Sequence, residues 1–190
     1  MKIKILAKPL VFVLASAPFI YMLWSLLSGK LGPNPIDSLT DQTGTVAIRV
    51  LLISLAVTPL RYLLKQTWPL RFRRMLGLFA FFYVALHVLI YAVLDQQLSI
   101  ALIWDDLAER PYILAGTVSF LLLLPLAVTS TRKMVKRLGK RWLALHRAVY
   151  LAGAAAVVHY VWLAKGDLIE PFVYLWVLLL LFVVRLVKTM

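Results

Sequence analysis

The sequence contains no cysteine, and this absence removes a large class of cofactor sites from consideration. Disulfides, thiolate metal sites, cysteine-bound iron–sulfur clusters and covalent c-type haem attachment all require that residue. Any metal or cofactor must therefore be held by histidine, methionine or carboxylate side chains, or by non-covalent packing.

Charged residues are also scarce, at 15% of the chain, whereas 63% of the residues are hydrophobic and the mean hydropathy is +0.89. A soluble domain has about 25% charged and 45–50% apolar residues, so this composition indicates a membrane protein. With 190 residues, the chain is predicted to form one membrane domain over residues 1–190, without a soluble second domain.

Long apolar stretches confirm that interpretation at the level of the sequence, because about 20 helical residues cross the hydrocarbon core of a bilayer. Six stretches have that length, and they predict an all-α integral membrane protein built as a six-transmembrane-helix bundle. They are Pro9–Ser28, Thr45–Leu64, Met75–Leu94, Tyr112–Val128, Trp142–Ala164 and Phe172–Val187.

Acidic residues are few and fall on one side of this predicted bundle. The eight acids are Asp37, Asp41, Asp95, Asp105, Asp106, Glu109, Asp167 and Glu170, and 17 of the 21 basic residues lie in segments on the opposite side. The positive-inside rule then places both termini in the cytoplasm. The net charge of +13 is accordingly interpreted as topology and attraction to anionic membrane lipid, not as nucleic-acid binding.

The three histidines, His87, His146 and His159, are the informative polar residues of so apolar a chain. Ionisable groups inside a membrane are costly, and they usually face a bundle interior where they have a function. His87 and His159 both lie roughly 8–10 Å inside the outer ends of predicted helices three and five, which run in the same direction. Two imidazoles at one depth predict the axial ligands of a b-type haem held between helices three and five.

His146 leaves several interpretations open. It precedes His159 by 13 residues, or roughly 20 Å along a helix, which is a typical separation for two stacked haems. The matching position on helix three is Arg73, so a second haem would have His146 on one side and Arg73, water or nothing on the other. Alternatively, His146 serves a quinone or flavin donor or is structural, and Arg73 is a topology charge or a haem-propionate partner.

Several fragments around these residues resemble a known family. They are Arg73-Arg74-Met75-Leu76-Gly77-Leu78 leading to Leu86-His87, Lys140-Arg141-Trp142 leading to Leu145-His146-Arg147, His159-Tyr160, and Pro35, Asp37 and Thr43-Gly44 before helix two. In combination they resemble the MsrQ family, the haem-binding membrane subunits of the bacterial periplasmic methionine-sulfoxide reductase system. That family belongs to the wider group of ferric-reductase-like transmembrane domains, and the resemblance covers essentially the whole chain.

The resemblance implies a transmembrane electron carrier in the bacterial inner (plasma) membrane. Electrons from the quinone pool or a flavin reductase would cross haem to a periplasmic, molybdenum-containing methionine-sulfoxide reductase that repairs oxidised envelope proteins. FMN enters only through the family, since the sequence shows no flavin motif. The wider group carries two histidines on each of two helices, and this chain departs from that pattern at Arg73.

No constellation in the sequence indicates bond-making chemistry, so we expect a non-catalytic electron-transfer subunit in which the cofactor does the redox work. One alternative is a quinol-oxidising cytochrome b that serves another partner. A second alternative, from a different class, is a small proton-coupled transporter whose histidines relay protons. A relay favours carboxylates beside the histidines, and the predicted helix interiors contain none.

Overall fold

The computed structural model describes residues 3–164, 166 and 168–189, and these residues form helices joined by short connections, without a strand among them. The helices are α1 (Ile3–Leu27), α2 (Pro35–Leu64), α3 (Leu70–Leu89), α4 (Ile100–Glu109), α5 (Pro111–Val128), α6 (Arg132–Leu138), α7 (Lys140–His146), α8 (Ala148–Leu163) and α9 (Ile169–Thr189). A π-helical segment, Ile90–Asp95, continues α3. The all-helical prediction is confirmed.

Five helices in the described residues are long and apolar enough to cross a membrane, and they correspond to predicted helices one, two, three, four and six. These spans are Ala7–Leu27, Pro35–Leu64, Leu70–Asp95, Pro111–Val128 and Ile169–Val187. The predicted fifth helix, Trp142–Ala164, is divided at Arg147 into α7 and the 16-residue α8. The count of six membrane crossings, the cytoplasmic termini and the haem position remain predictions.

Helix α2 begins at Pro35, ten residues before the predicted start at Thr45. The side chain of Asn34 accepts a hydrogen bond from the backbone N–H of Asp37 and so caps the first turn, with proline at the first helical position. The predicted start at Thr45 was based on hydropathy, which does not indicate a polar first turn of a helix that is stabilised by capping and not by burial. As a result, Gly44 lies inside a helix and faces α3 instead of lying in a loop.

The predicted interfacial segment Leu98–Trp104 is largely the amphipathic helix α4. Ile100 and Trp104 are 83% and 70% exposed, whereas Asp106 is buried and accepts a hydrogen bond from the Tyr91 hydroxyl at 2.9 Å. One side of α4 is therefore attached to the π-helical segment that continues α3, and its apolar side is uncovered.

The most extensive helix packing occurs in two pairs, α2 with α3 and α5 with α8. Ala80 on α3 and Ala152 on α8 have no exposed surface and belong to the same core cluster. Small side chains at such contacts let helix backbones approach closely. The two pairs thereby bring the helices that carry His87 and His159 to opposite walls of one cavity.

Candidate cofactor site

The rings of His87 and His159 lie edge to face near the C-terminal ends of α3 and α8. Their centroids lie 6.2 Å apart and their planes make an angle of 77°. Both side chains are partly buried, and both line one cavity of about 390 Å³. The prediction that helix geometry brings these two residues together is confirmed by this spacing, while their role as ligands stays a prediction.

His87 is held by the helix next to its own. Its Nδ1 lies 3.0 Å from the backbone carbonyl oxygen of Thr40 on α2. A carbonyl only accepts, so Nδ1 carries the proton in this arrangement and the lone pair of a neutral ring is on Nε2. The ring also lies against Gly44, where a Cβ atom would come within 3.1 Å of His87 Cε1.

His159 is held in the same way by α5. Its Nδ1 lies 2.6 Å from the backbone carbonyl oxygen of Tyr112, so Nε2 is again the unprotonated nitrogen. A Cβ atom at Gly116 would come within 2.9 Å of Nδ1, closer than real Cβ contacts occur. Both imidazoles therefore have a fixed orientation and an available Nε2.

The spacing of the rings fits two axial ligands on one iron. A metal–imidazole bond is about 2.0 Å long and the bonded nitrogen lies about 1.1 Å from the ring centre, so two ligands on one metal have centroids about 6 Å apart. The observed 6.2 Å agrees with that value. The remaining lining is mainly apolar, with Ile48, Val84 and Phe120 among its residues, as suits a macrocycle held without covalent attachment.

Polar residues at this cavity include three to which the sequence analysis assigned no part in cofactor binding: Asp41, Tyr91 and Tyr160. Asp41 was predicted to lie in a connecting segment because the predicted second helix began at Thr45, whereas α2 begins at Pro35 and includes it. The expectation that the helices contain no carboxylate near the histidines is therefore wrong for Asp41, although its side chain is exposed.

The alanines on α3 and α8 near the two histidines divide into two groups. Ala156 lines the cavity. Ala80 and Ala152 are instead buried in the packing core, so they serve close helix approach.

His146 and Arg73 lie at a second cavity, of about 220 Å³, with Arg74. The His146 ring stacks on Trp142 at 3.8 Å between centroids, its Nδ1 lies 3.1 Å from the Trp142 carbonyl oxygen, and its Nε2 is 3.5 Å from Ser130 Oγ. His146 and Arg73, which were predicted to lie opposite each other, thus line the same cavity, and α3 contributes two guanidinium groups to it. Arg74 was not assigned a cofactor role from the sequence.

No group of three or more histidine or carboxylate residues that could hold a bare metal ion occurs within residues 3–164, 166 and 168–189. The candidate ligands are single imidazoles on separate helices, which suits a metal that brings four equatorial ligands of its own, as iron in a porphyrin does.

Comparison with known proteins shows which proteins the chain is similar to. Residues 43–157 match the family model described as ferric reductase like transmembrane component. Proteins named protein-methionine-sulfoxide reductase heme-binding subunit MsrQ are similar over most of the chain. The one from Rhodospirillum rubrum is 51% identical over 93% of this chain and 86% of its own. The one from Deinococcus radiodurans is 48% identical over 89% and 84%. No solved structure matches the chain.

Proposed function

The chain belongs to the MsrQ family of ferric-reductase-like transmembrane proteins, and we propose that it carries electrons across the bacterial inner membrane through b-type haem. The electrons come from quinol or reduced flavin and pass to a periplasmic, molybdenum-containing methionine-sulfoxide reductase. The chain acts as a single domain that binds and orients the cofactor and does not itself reduce the sulfoxide.

The observation that carries this proposal is the facing pair of imidazoles, His87 and His159, with their centroids 6.2 Å apart. Each ring is fixed through Nδ1 on a backbone carbonyl, and each Nε2 is free to bind metal. Haem bound between them supplies a one-electron Fe(III)/Fe(II) couple. A proton relay would need no such matched spacing.

The roles of the other residues follow from their positions. The apolar walls exclude water from the metal site, which in general tunes its potential. Arg73 and Arg74 place two positive charges at the second cavity, where they can neutralise propionate groups or an anionic flavin. His146 in that cavity is a candidate ligand to a second haem.

The proposed reaction balances without a further reactant. Oxidation of one quinol releases two electrons and two protons, and reduction of one methionine sulfoxide to methionine and water consumes two of each. Electrons cross this chain one at a time, while the protons are released and consumed outside it. FMN, if this chain shares it with the family, would accept both electrons together and pass them on one at a time.

The proposed topology has six crossings, with α7 and α8 together forming the fifth, and both termini in the cytoplasm. This arrangement places the His87–His159 cavity near the periplasmic face, where a docked reductase collects electrons. It places His146 and its two arginines near the cytoplasmic face, where electrons enter.

The test is a reduced-minus-oxidised absorption spectrum of the purified protein, with His87→Ala and His159→Ala as variants. We expect a low-spin b-type spectrum in the wild type and its loss in each variant, with insertion into the membrane unchanged. Wild-type protein without haem would contradict the proposal, as would a normal bis-histidine spectrum in either variant. An unrelated cytochrome b function would show the haem but no electron transfer to a methionine-sulfoxide reductase from the same organism.

A further inference from the structure

The two histidines are held by two copies of one structural arrangement. In each copy, an imidazole on one helix donates from Nδ1 to a carbonyl on the neighbouring helix, and the ring lies against a glycine one helical turn after that carbonyl. The first copy consists of Thr40, Gly44 and His87, on α2 and α3. The second copy lies on α5 and α8.

The second copy repeats the first at a constant distance along the chain. Its members are Tyr112, Gly116 and His159, and each residue number exceeds its counterpart, 40, 44 or 87, by 72. The same interval relates the segments Gly-Thr-Val at 44–46 and at 116–118. Two helix pairs therefore repeat one local structure, in sequence as well as in space.

The packing beneath the histidines follows the same interval. Ala80 and Ala152, which are fully buried on α3 and α8, are again 72 residues apart. Leu51 and Leu123, buried on α2 and α5, form a further pair. A structural repeat of this extent makes the equivalent surroundings of the two imidazoles a property of the fold, not a coincidence of two contacts.

We propose that Gly44 and Gly116 are positioning residues for the two haem ligands. Each glycine lets an imidazole lie against the adjacent helix, so that Nδ1 reaches the carbonyl oxygen one turn earlier and Nε2 is directed to iron. This inference rests on the proposed haem function. It adds that the glycines, which touch neither metal nor substrate, set the orientation and basicity of the ligands.

Gly44 and Gly116 differ in the space available for a Cβ atom beside the imidazole. A Cβ atom at Gly116 would lie 2.9 Å from His159 Nδ1, the atom that donates to Tyr112. At Gly44 the nearest ring atoms would be 3.1 and 3.2 Å away, so a shift of a few tenths of an ångström relieves the contact. Substitution of Gly116 therefore displaces the ring and its hydrogen bond, whereas substitution of Gly44 strains them.

A second difference comes from Thr43, whose hydroxyl lies 3.4 Å from His87 Nδ1 and donates to the Leu39 carbonyl at 2.7 Å. The corresponding residue of the second copy is Ala115, which has no hydroxyl. His87 thus has an additional acceptor near Nδ1 if the ring moves, and His159 depends on one carbonyl. Both differences predict that substitution of Gly116 disturbs its histidine more than substitution of Gly44 does.

The experiment compares Gly116→Ala and Gly44→Ala with Gly153→Ala as the matched control. Gly153 lies on α8, and a Cβ there would meet the flexible Leu55 side chain at 3.3 Å instead of an imidazole. The measurements are haem per folded protein, the EPR g-values of the oxidised low-spin haem, which report ligand orientation, and the midpoint potential. Loss of an outer hydrogen bond to a metal-bound histidine typically weakens metal affinity about 10–100-fold, and we expect a loss of that size for Gly116→Ala.

For Gly44→Ala we expect haem to remain, with shifted g-values and midpoint potential, and for Gly153→Ala wild-type values in all three measurements. Wild-type haem content, g-values and potential in both Gly44→Ala and Gly116→Ala would overturn the proposal. An equal loss in Gly153→Ala would overturn it as well, because it would indicate general crowding. Should Gly116→Ala fail to insert, the milder Gly44→Ala decides the question, and haem-free wild-type protein would contradict the proposed function instead.

Discussion

Removal of one buried hydroxyl, in Tyr83→Phe, tests how α1 is attached to the bundle. Tyr83 on α3 has no exposed surface, and its hydroxyl donates to the Ala15 carbonyl at 2.7 Å and accepts from the Phe19 N–H at 3.2 Å. Those two groups are four residues apart, so the hydroxyl lies within the hydrogen-bond ladder of α1, beside Pro18, which has no N–H to donate.

The magnitude follows from the two hydrogen bonds that the variant lacks. Each contributes about 0.5–1.5 kcal/mol net, and interhelical hydrogen bonds in membranes average about 0.6 kcal/mol. We therefore expect Tyr83→Phe to lower the free energy of unfolding by about 1–2 kcal/mol, a factor of about 5–30 in the equilibrium constant. The lower value applies if α1 straightens and the freed carbonyl and N–H of Ala15 and Phe19 bond each other.

The assay is reversible unfolding of the purified protein in mixed detergent, followed by circular dichroism. Tyr21→Phe is the control, because Tyr21 lies on α1 itself and is 60% exposed. If Tyr83→Phe and Tyr21→Phe unfold at the same denaturant concentration, the hydroxyl does not stabilise α1 and the reasoning is refuted. Spectra of both variants should show unchanged helix content before unfolding.

Three further outcomes are expected. His146→Ala should lower the ratio of haem to protein while the His87–His159 spectrum persists; full haem content and an unchanged rate of reduction by a quinol analogue would make His146 structural. The buried Asp106 carboxylate accepts two hydrogen bonds and pairs with Arg110. We therefore expect Asp106→Asn to weaken the attachment of α4 by about 1–3 kcal/mol. The measurement is hydrogen exchange, which should become faster only in residues 96–110. Single cysteines replacing Lys133 and Gln97 should react with an impermeant thiol reagent from opposite sides of the membrane, and equal labelling in intact cells would contradict the topology.

Much of the fold could be predicted because a helix that crosses a bilayer needs about 20 mainly apolar residues in sequence. Apolar stretches of sufficient length predicted the five helices that are long and apolar enough to cross a membrane, with ends that differ from the observed ones by a few residues, except at the start of α2. The meeting of His87 and His159 could be predicted as well, since their depths follow from the rise per residue on two helices that run in the same direction.

The features that could not be predicted depend on contacts between helices. The break at Arg147 has no proline or glycine beside it that would predict the end of a helix. Gly44 and Gly116 have no chemistry of their own, and only the structure shows which rings they touch. A signal was nevertheless present, because comparison of the chain with itself at an interval of 72 residues aligns both glycines and both histidines.

The repeat also gives a physical reason why the two cavities differ. In the cavity that contains His87 and His159, each helix pair supplies one imidazole, so the two rings have equivalent positions. In the second cavity the interval of 72 relates His146 to Arg74, and Arg73 precedes it, so an imidazole lies in one cavity with two guanidinium groups. A guanidinium remains charged at any accessible pH and is a poor ligand for iron, but it binds carboxylate and phosphate groups well. We therefore expect the His87–His159 cavity to hold haem more tightly, and the His146 cavity to favour a cofactor or donor with anionic groups. With the proposed topology, electrons would then move from a weakly held or exchangeable donor to a firmly ligated acceptor, in the direction that reduction of a periplasmic partner requires.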